Sequence, residues 1–293
     1  MFRAVTYEHR PRWQYPNLLS LHAPLVAMAW LYVFAKVWRV NYLPWTAYLA
    51  LALAVWLLHV IQRLHIGTRC ARAGRLPPGG PHQFHTRHAR AFLGATLLAV
   101  AGLLVLVIAH LPISVFSYLT IGVVLVAGFF ILSILGGTAP RDIEYGKNIL
   151  AGAAFAYGTT MVAHVFLPGQ GKHDLVASRE FLTFAVLCVV YLCAIDFWKK
   201  SSAAHGAGAE EEDAPADLAL TLPVMVLAIA TLGFAITSHH QSVRPFYYAI
   251  LTGVALIHVV NRNRRKFSAE ELRALGDAAM LAPALVFHAY PAL

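Results

Sequence analysis

The sequence predicts an all-α integral membrane protein, a bundle of about nine transmembrane helices with a cytoplasmic amino terminus. Three observations lead to this fold class. The 293-residue chain is 59% hydrophobic and only 13% charged, whereas soluble domains are about 25% charged. Its apolar residues form continuous runs of about twenty residues, the length that crosses a bilayer as a helix. Its lysines and arginines are concentrated in alternate connections between these runs.

Nine apolar runs form one transmembrane domain over residues 1–293. The third run contains no Asp, Glu, Lys or Arg, as is typical of a lipid-embedded helix. The ninth differs because it contains Asp277 and Pro283. The predicted spans are residues 18–38, 43–61, 91–110, 113–135, 147–167, 179–198, 218–237, 244–261 and 275–292.

The distribution of positive charge orients this bundle. With the amino terminus inside, the inner segments contain 18 lysines and arginines and the outer segments contain 5. This is the positive-inside pattern, so we expect the long loops at 62–90 and 199–217 to be cytoplasmic, in a bacterial inner membrane. The acidic run at 210–213 predicts that the 199–217 loop is mobile and solvated. No cleavable signal peptide is expected at the amino terminus.

Composition also excludes some functions. The net charge of +9 does not indicate nucleic-acid binding, because no soluble basic domain is predicted to carry it. The three cysteines, Cys70, Cys188 and Cys193, predict no disulfide framework, since two of them lie in one apolar run.

The last inner loop and the ninth run contain three polar features. Ser268 and Glu271 have the spacing of a capping box and predict the start of the ninth helix. The basic run at 261–266 fits either an anionic-lipid contact or an ordinary topology signal. Asp277 is an intramembrane carboxylate and hence a functional candidate, although its place near the helix start favours pairing with a nearby basic residue.

Histidine is unusually frequent, with 15 in the chain. Two groups stand out: His82, His85 and His88 in the first inner loop, and His22, His164 and His258 within spans. The spacing of the loop group suits zinc on a helix, but interleaved arginines favour a solvated or head-group-facing role. The span group suits haem ligation or, more simply, polar contacts between helices.

The stretch from His59 to Gly80 leaves the second span and enters the longest basic loop. Its end, residues 75–80 (RLPPGG), opens on Arg75, nine residues beyond Ile66, and is similar to the Arg-Pro-Leu-Pro-x-Gly passage of the UbiA-type intramembrane prenyltransferases. In that family the passage follows the motif Asn-Asp-x-x-Asp-x-x-x-Asp. Here the three aspartate positions correspond to His59, Gln62 and Ile66. The chain therefore resembles a divergent family member without the aspartates of its first motif.

Two further stretches resemble the same family. Residues 152–155 (GAAF) follow a loop that contains Pro140, similar to the family's passage into its fifth helix. Asp196 matches an aspartate of the second motif, while Lys199 and Lys200 stand where further carboxylates are usual. The family's nine helices, cytoplasmic amino terminus and two cytoplasmic signature loops match the topology predicted above.

The resemblance implies a cytoplasmic cleft in which family members hold Mg²⁺ and the diphosphate of a polyprenyl donor. Mg²⁺ binds through one or two carboxylates with phosphates, and one aspartate cannot hold two ions. We therefore expect no metal and no cofactor, with Mg²⁺ entering only if prenyl transfer survives. Basic side chains can instead hold a head group or anion directly, although they also fit a plain topology signal. The predicted site residues are Arg63, Arg75, Lys147, Asp196 and Lys199.

Three functions remain open, and no catalytic residue is assigned. The first is a UbiA-like protein that binds an isoprenoid, quinone or lipid without metal-dependent prenyl transfer, alone or within a larger membrane complex. The second is an active prenyltransferase that moves a prenyl group from a polyprenyl diphosphate to an aromatic or lipid acceptor through an altered head-group site. The third, a transporter or channel, predicts polar residues at mid-membrane, which are few here. The missing carboxylates favour the first.

Overall fold

The computed structural model describes residues 15–72, 79–135, 141–205, 213–238 and 240–289, and these residues form helices and short connections with no strand. Seven of the described helices are long and apolar enough to cross a membrane, which supports the predicted class of helical membrane protein. The predicted site residue Arg75 and the Pro140 of the family-like passage lie outside the described residues.

Within the described residues, nine long α-helices and three short ones follow one another along the chain. They are α1 (Tyr15–Leu18), α2 (His22–Val37), α3 (Trp45–Arg72), α4 (Gly79–Arg87), α5 (Ala89–His110), α6 (Val115–Leu135), α7 (Arg141–His164), α8 (Lys172–Ala177), α9 (Arg179–His205), α10 (Asp213–Thr237), α11 (Arg244–Arg262) and α12 (Ala269–Ala289). Each long helix overlaps one predicted span. The two outside the set of seven are α2, which has 16 residues, and α7, which opens on a polar segment.

The loop predicted at residues 62–90 is shorter than expected, because α3 continues beyond the end of its apolar run. It continues to Arg72 rather than stopping at residue 61, and α4 occupies part of the predicted loop at 62–90. A helix needs apolar residues only where it is in contact with lipid or core. Hydropathy therefore marks the membrane-embedded part of α3 and misses its polar continuation.

The predicted mobile loop at 199–217 is corrected in the same way. The α9 helix continues to His205 and α10 begins at Asp213. Only the middle of the predicted loop, residues 206–212, lies outside the described residues. The small and charged residues on either side form helix ends, because Ala and Lys are good helix formers whether or not they contact lipid.

The bundle is organised around α2 and α9. The α2 helix packs against α3, α7 and α12, and α9 packs against α7, α10, α11 and α12. At the centre, the rings of Trp30 and Phe34 lie 4.5 and 5.3 Å from that of Phe184. The Trp30 indole donates to the Met280 carbonyl at 2.9 Å, which satisfies a buried donor and ties α2 to α12.

The neighbouring helices α5 and α6 make little contact with each other. The α5 helix packs against α3 and α6 packs against α7. Both present long exposed apolar faces, with Leu98 and Ile108 on α5 and Val124 on α6 each at least 70% exposed. The two helices therefore stand on α3 and α7 with much of their apolar surface uncovered by the rest of the chain.

Gly152 permits the closest crossing in the bundle, between α7 and α9. A Cβ atom at this position would lie 2.7 Å from the Val189 nitrogen and 2.8 Å from its Cα, so any side chain would force the backbones apart. This crossing is the local reason for glycine at the start of the GAAF stretch. It brings the polar beginning of α7 against the polar end of α9.

Candidate anion-binding site

Polar side chains from five helices meet at the end of the bundle where α4 lies, called here the α4 end. Their positions follow from helical spacing: His59 and Arg63 lie one turn apart on α3, and Arg273 and Asp277 lie one turn apart on α12. The contributors are His22 of α2, His59 and Arg63 of α3, His82 of α4, Tyr191 and Lys199 of α9, and Arg273 and Asp277 of α12.

Arg63 is a buried cation that the short helix α1 holds in place. Its side chain is 4% exposed. One terminal nitrogen donates to the Asn17 side-chain oxygen at 2.9 Å, and the other donates to the Asn17 carbonyl. A guanidinium that is held by a planar amide and a carbonyl keeps its charge without a carboxylate partner. Asn17 therefore orients Arg63.

Arg273 connects α12 to two histidines. Its terminal nitrogen lies 3.1 Å from His22 Nε2, and because a guanidinium only donates, this histidine nitrogen accepts. The His22 ring meets the His59 ring edge to face at 5.7 Å. His59 in turn donates from Nδ1 to the Val55 carbonyl at 3.0 Å. Within the described residues, the buried Nε of Arg273 has no hydrogen-bond partner.

Asp277 is the buried carboxylate of this region. It is 8% exposed, and its Oδ1 accepts a hydrogen bond from the Tyr191 hydroxyl. The charges of Arg273 and Arg63 both act on it. Among the described residues its hydrogen-bond partner is Tyr191, and the expected pairing of Asp277 with a nearby basic residue is not seen as a direct ion pair. The one carboxylate acts at longer range on two guanidinium groups, and part of their positive charge stays uncompensated.

Lys199 lies among the basic side chains of the α4 end. Its side chain is exposed, and the charges of Arg63 on α3, Lys147 on α7 and Arg273 on α12 act on it. These basic groups come from three other helices, so the exposed Lys199 side chain lies within electrostatic range of all of them. The space that these four side chains border is called here the cleft.

The adjacent Lys200 is neutralised on the surface. Its ammonium pairs with Glu144 of α7 and lies 3.5 Å from Asp196, one turn earlier on α9. The predicted site residue Asp196 is therefore engaged by Lys200, besides acting on Lys199. The two neighbouring lysines of α9 thus have different charge environments. Lys200 has two carboxylate partners, whereas more cations than carboxylates act on Lys199.

His82 extends the cluster onto α4. Burial, together with the nearby charges of Arg63, Lys199 and Arg273, lowers the pKa of His82 to about 4. The ring is therefore neutral at pH 7. Within the described residues, its buried Nδ1 has no hydrogen-bond partner. His82 thus offers a neutral polar group beside the cations.

The other histidines of α4 do not join His82. His85 is fully buried, stacks on Phe92 at 3.9 Å and lies 3.3 Å from the Ser20 hydroxyl, so the predicted solvated or head-group-facing role is wrong for it. Among the described residues, no group of three or more His, Cys, Asp or Glu is placed to hold a metal ion. Packing against Phe92 and α1 separates the rings that the sequence spacing suggested as a cluster.

A second polar cluster lies at the opposite end of the bundle. The Tyr118 hydroxyl hydrogen-bonds with His164 Nδ1 at 2.8 Å, and the Tyr157 hydroxyl donates to the Tyr118 carbonyl at 2.9 Å. The His164 ring also packs edge to face against Trp38 at 5.3 Å. His164 and His22 both contact other helices through polar atoms, as expected for span histidines.

The cations of the α4 end outnumber its carboxylates, which makes the cleft suited to an anion. They are Arg63, Lys147, Lys199, Lys200 and Arg273, against Asp277, Asp196 and Glu144. Guanidinium and ammonium groups bind phosphate oxygens with strong charge-assisted hydrogen bonds.

The structure brings together three of the residues that the sequence nominated for the site: Arg63, Lys147 and Lys199. Of the three degenerate motif positions, His59 joins the cluster, while Gln62 and Ile66 are half-buried on α3. Arg273 escaped notice because it was counted as topology signal, although its spacing of four from Asp277 was a usable clue. No protein-family model, no curated protein and no solved structure matches this chain.

Proposed function

We propose that this chain is a nine-span, UbiA-like membrane protein that binds the phosphate-bearing head group of an isoprenoid or other lipid in the cleft at the α4 end, without metal-dependent prenyl transfer. The observation that carries the proposal is the exposed Lys199 side chain, on which the charges of Arg63, Lys147 and Arg273 act. Like charges at close range cost free energy unless an anion offsets them. A lipid phosphate group is an anion present in membranes that can offset these positive charges.

The donor chemistry of the cleft supports phosphate over a neutral ligand such as a quinone. A phosphate presents several acceptor oxygens, and the cleft offers an ammonium at Lys199 and guanidinium groups at Arg63 and Arg273. The unpaired Nε of Arg273 is a further donor in the same region. A quinone carbonyl would leave most of this charge uncompensated.

The proposal requires that basic side chains replace metal ions. In a site of the family type, Mg²⁺ neutralises the phosphate through aspartates. Here the corresponding positions carry His59, Gln62 and Ile66, and the lysines stand where the second motif has carboxylates. Direct pairing of phosphate with arginine and lysine needs no metal. Binding is then expected to be insensitive to chelators.

The exposed apolar faces of α5 and α6 support a chain-bearing ligand. These two helices pack on α3 and α7, the helices that carry Arg63 and Lys147 to the α4 end. An isoprenoid or acyl chain on these faces would bury apolar surface at about 25 cal/mol per Å². We assign the chain to the faces of α5 and α6 and the head group to the cleft.

A matched pair of lysine variants tests the assignment. The measurement is the affinity of purified protein in detergent for a fluorescent polyprenyl phosphate and for the uncharged polyprenol of equal length, with EDTA or with Mg²⁺. We expect a preference for the phosphate that EDTA does not reduce. Lys199→Gln should weaken phosphate binding about tenfold, the effect of one charge-assisted contact. Lys200→Gln, which removes an exposed lysine already paired with carboxylates, should change it less than twofold.

Three results would contradict the proposal. The first is equal affinity for the phosphate and the alcohol, which would make the site a neutral-lipid site. The second is an equal loss in the Lys199 and Lys200 variants, which would indicate general surface attraction. The third is binding that requires Mg²⁺ and is followed by transfer of the prenyl group, which would establish the active prenyltransferase.

The topology is part of the proposal and has its own test. Nine spans result if α2 and α7 cross the membrane together with the seven helices that are long and apolar enough to do so. The α4 end and the amino terminus are then cytoplasmic, and the carboxyl end is outside. Reporter fusions at the two ends should then give opposite sidedness. If both ends lay on the same side, the number of crossings would be even, and the proposed nine spans would be wrong.

A further inference from the structure

A second basic site lies on the surface of the α4 end, outside the cleft, between α9, α11 and α12. A cavity of about 220 Å³ is lined there by residues that include Trp198, Ser202, Arg264, Arg265, Phe267 and Leu272. Arginines, hydroxyls and apolar rings share its wall. We propose that this cavity binds the phosphate head group of an anionic phospholipid from the surrounding bilayer.

Arg264 is positioned in advance of any ligand. Its guanidinium carbon lies 5.0 Å from the centre of the Phe197 ring, and one terminal nitrogen donates to the Asn261 carbonyl at 3.2 Å. Asn261 is itself fixed, because its side-chain oxygen accepts from the Trp198 indole at 2.9 Å. A guanidinium that is stacked and hydrogen-bonded loses little freedom on binding an anion.

The cavity lies at the level where helices leave the membrane. The apolar span that contains α11 ends at Arg262, and the span formed by α12 begins at Ala269. Between them, Phe267 is 38% exposed beside a run of arginines and lysine. An exposed aromatic ring next to basic side chains is the pattern of a surface that contacts both acyl chains and anionic head groups.

Glu271, which follows the basic run in the chain, caps α12 and does not line this cavity. The Glu271 side chain accepts from the Ser268 nitrogen at 2.8 Å and from its hydroxyl at 2.9 Å, and so caps α12. Arg264 and Arg265 belong to the surface run, whereas Arg63, Lys199 and Arg273 belong to the cleft. The cavity is therefore a separate site, and it does not depend on the function proposed for the cleft.

The experiment uses the full chain in detergent micelles and native mass spectrometry. The probes are phosphatidylglycerol, phosphatidylcholine with the same acyl chains, and inorganic phosphate alone. We expect the protein to retain phosphatidylglycerol in preference to phosphatidylcholine. Arg265→Gln, which removes an exposed cation, should weaken phosphatidylglycerol binding about fivefold. Ser202→Phe, which fills the cavity and keeps every charge, should weaken it to a similar degree.

Arg262→Gln is the matched control, because Arg262 is an exposed cation of the same basic run and does not line the cavity. It should leave phosphatidylglycerol binding unchanged, and Arg265→Gln should leave polyprenyl phosphate binding in the cleft unchanged. An equal loss in the Arg262 and Arg265 variants, or no loss in Ser202→Phe, overturns the site in favour of diffuse surface attraction. Inorganic phosphate that binds as tightly as the lipid overturns the phospholipid assignment.

Discussion

The two ends of the bundle contain polar clusters of opposite character. Opposite the α4 end, Tyr118, Tyr157 and His164 are neutral groups that satisfy one another within 2.9 Å. At the α4 end, Lys199 and Arg273 face more cations than carboxylates. Polar groups whose role is only to join helices are usually paired and uncharged, because burying an unpaired polar group or an uncompensated charge costs free energy. A cluster that keeps unbalanced charge is better explained by a ligand than by packing.

The largest expected effect comes from removing Asp277, the buried carboxylate that offsets part of the positive charge at the α4 end. Asp277→Leu leaves Arg63 and Arg273 without this negative charge and should lower the free energy of unfolding by about 3–5 kcal/mol. SDS titration in micelles measures this loss. Asp196→Asn is the control, because this partly exposed carboxylate pairs with an exposed lysine and should cost about 1 kcal/mol or less. Equal losses in the two variants would mean that Asp277 does not hold the cluster together.

The second largest effect concerns the helix crossing that supports the α4 end. Gly152→Ala places a methyl group within 2.8 Å of Val189 backbone atoms and should cost about 1–3 kcal/mol through overpacking. Gly158→Ala, two turns further along α7 where no atom lies within 4 Å, should be neutral or stabilising by up to about 1 kcal/mol. Thermal unfolding in detergent measures both. A stable Gly152→Ala variant would show that α7 and α9 separate easily.

A smaller effect is expected at the opposite end. Tyr118→Phe leaves His164 Nδ1 without its partner at 2.8 Å and should cost about 1 kcal/mol. Because this cluster has a packing role, the affinity for polyprenyl phosphate should stay the same. A loss of affinity comparable to that of Lys199→Gln would break the distinction between the two ends.

The smallest effect is a pH dependence confined to the α4 end. The folded pKa of His82 is about 4, below the ordinary 6.5, because of burial and the charges of Arg63, Lys199 and Arg273. Folding thus favours the neutral ring, and its contribution to stability is complete above pH 6.5 and declines as the pH falls toward 4. His82→Gln should flatten this part of the pH profile of the melting temperature. Partial exposure of the ring keeps the effect modest. If the variant and the unmodified protein had identical pH profiles, His82 would not lie in the cationic environment described here.

The sequence located the helices well because each apolar run is long and uninterrupted. It also predicted the cap at Ser268 and Glu271, which the hydrogen bonds between them confirm. The polar helix ends were missed, since α3 and α9 continue past their apolar runs. Hydropathy reports contact with lipid, and a helix that projects from the membrane needs none.

The site was only partly accessible to sequence reasoning. Arg63 and Lys199 were nominated because the family motifs pass through them, and both face the cleft. Arg273 was overlooked because charges near a span end look alike whether they set topology or point inward. The pairing of Asp196 with Lys200, one turn away on the same helix, was not predicted.

The pairing of α2 with α12 has a consequence for biosynthesis. Trp30 reaches the Met280 carbonyl and His22 reaches Arg273, partners that are 250 and 251 residues apart in the chain. A ribosome adds about 5–20 residues per second, so α2 spends many seconds in the membrane before α12 exists. During that interval one flank of α2 must be shielded by lipid or by the insertion machinery. Substitutions that weaken α12 should therefore act as assembly defects, with protein lost to quality control before the cleft is ever formed.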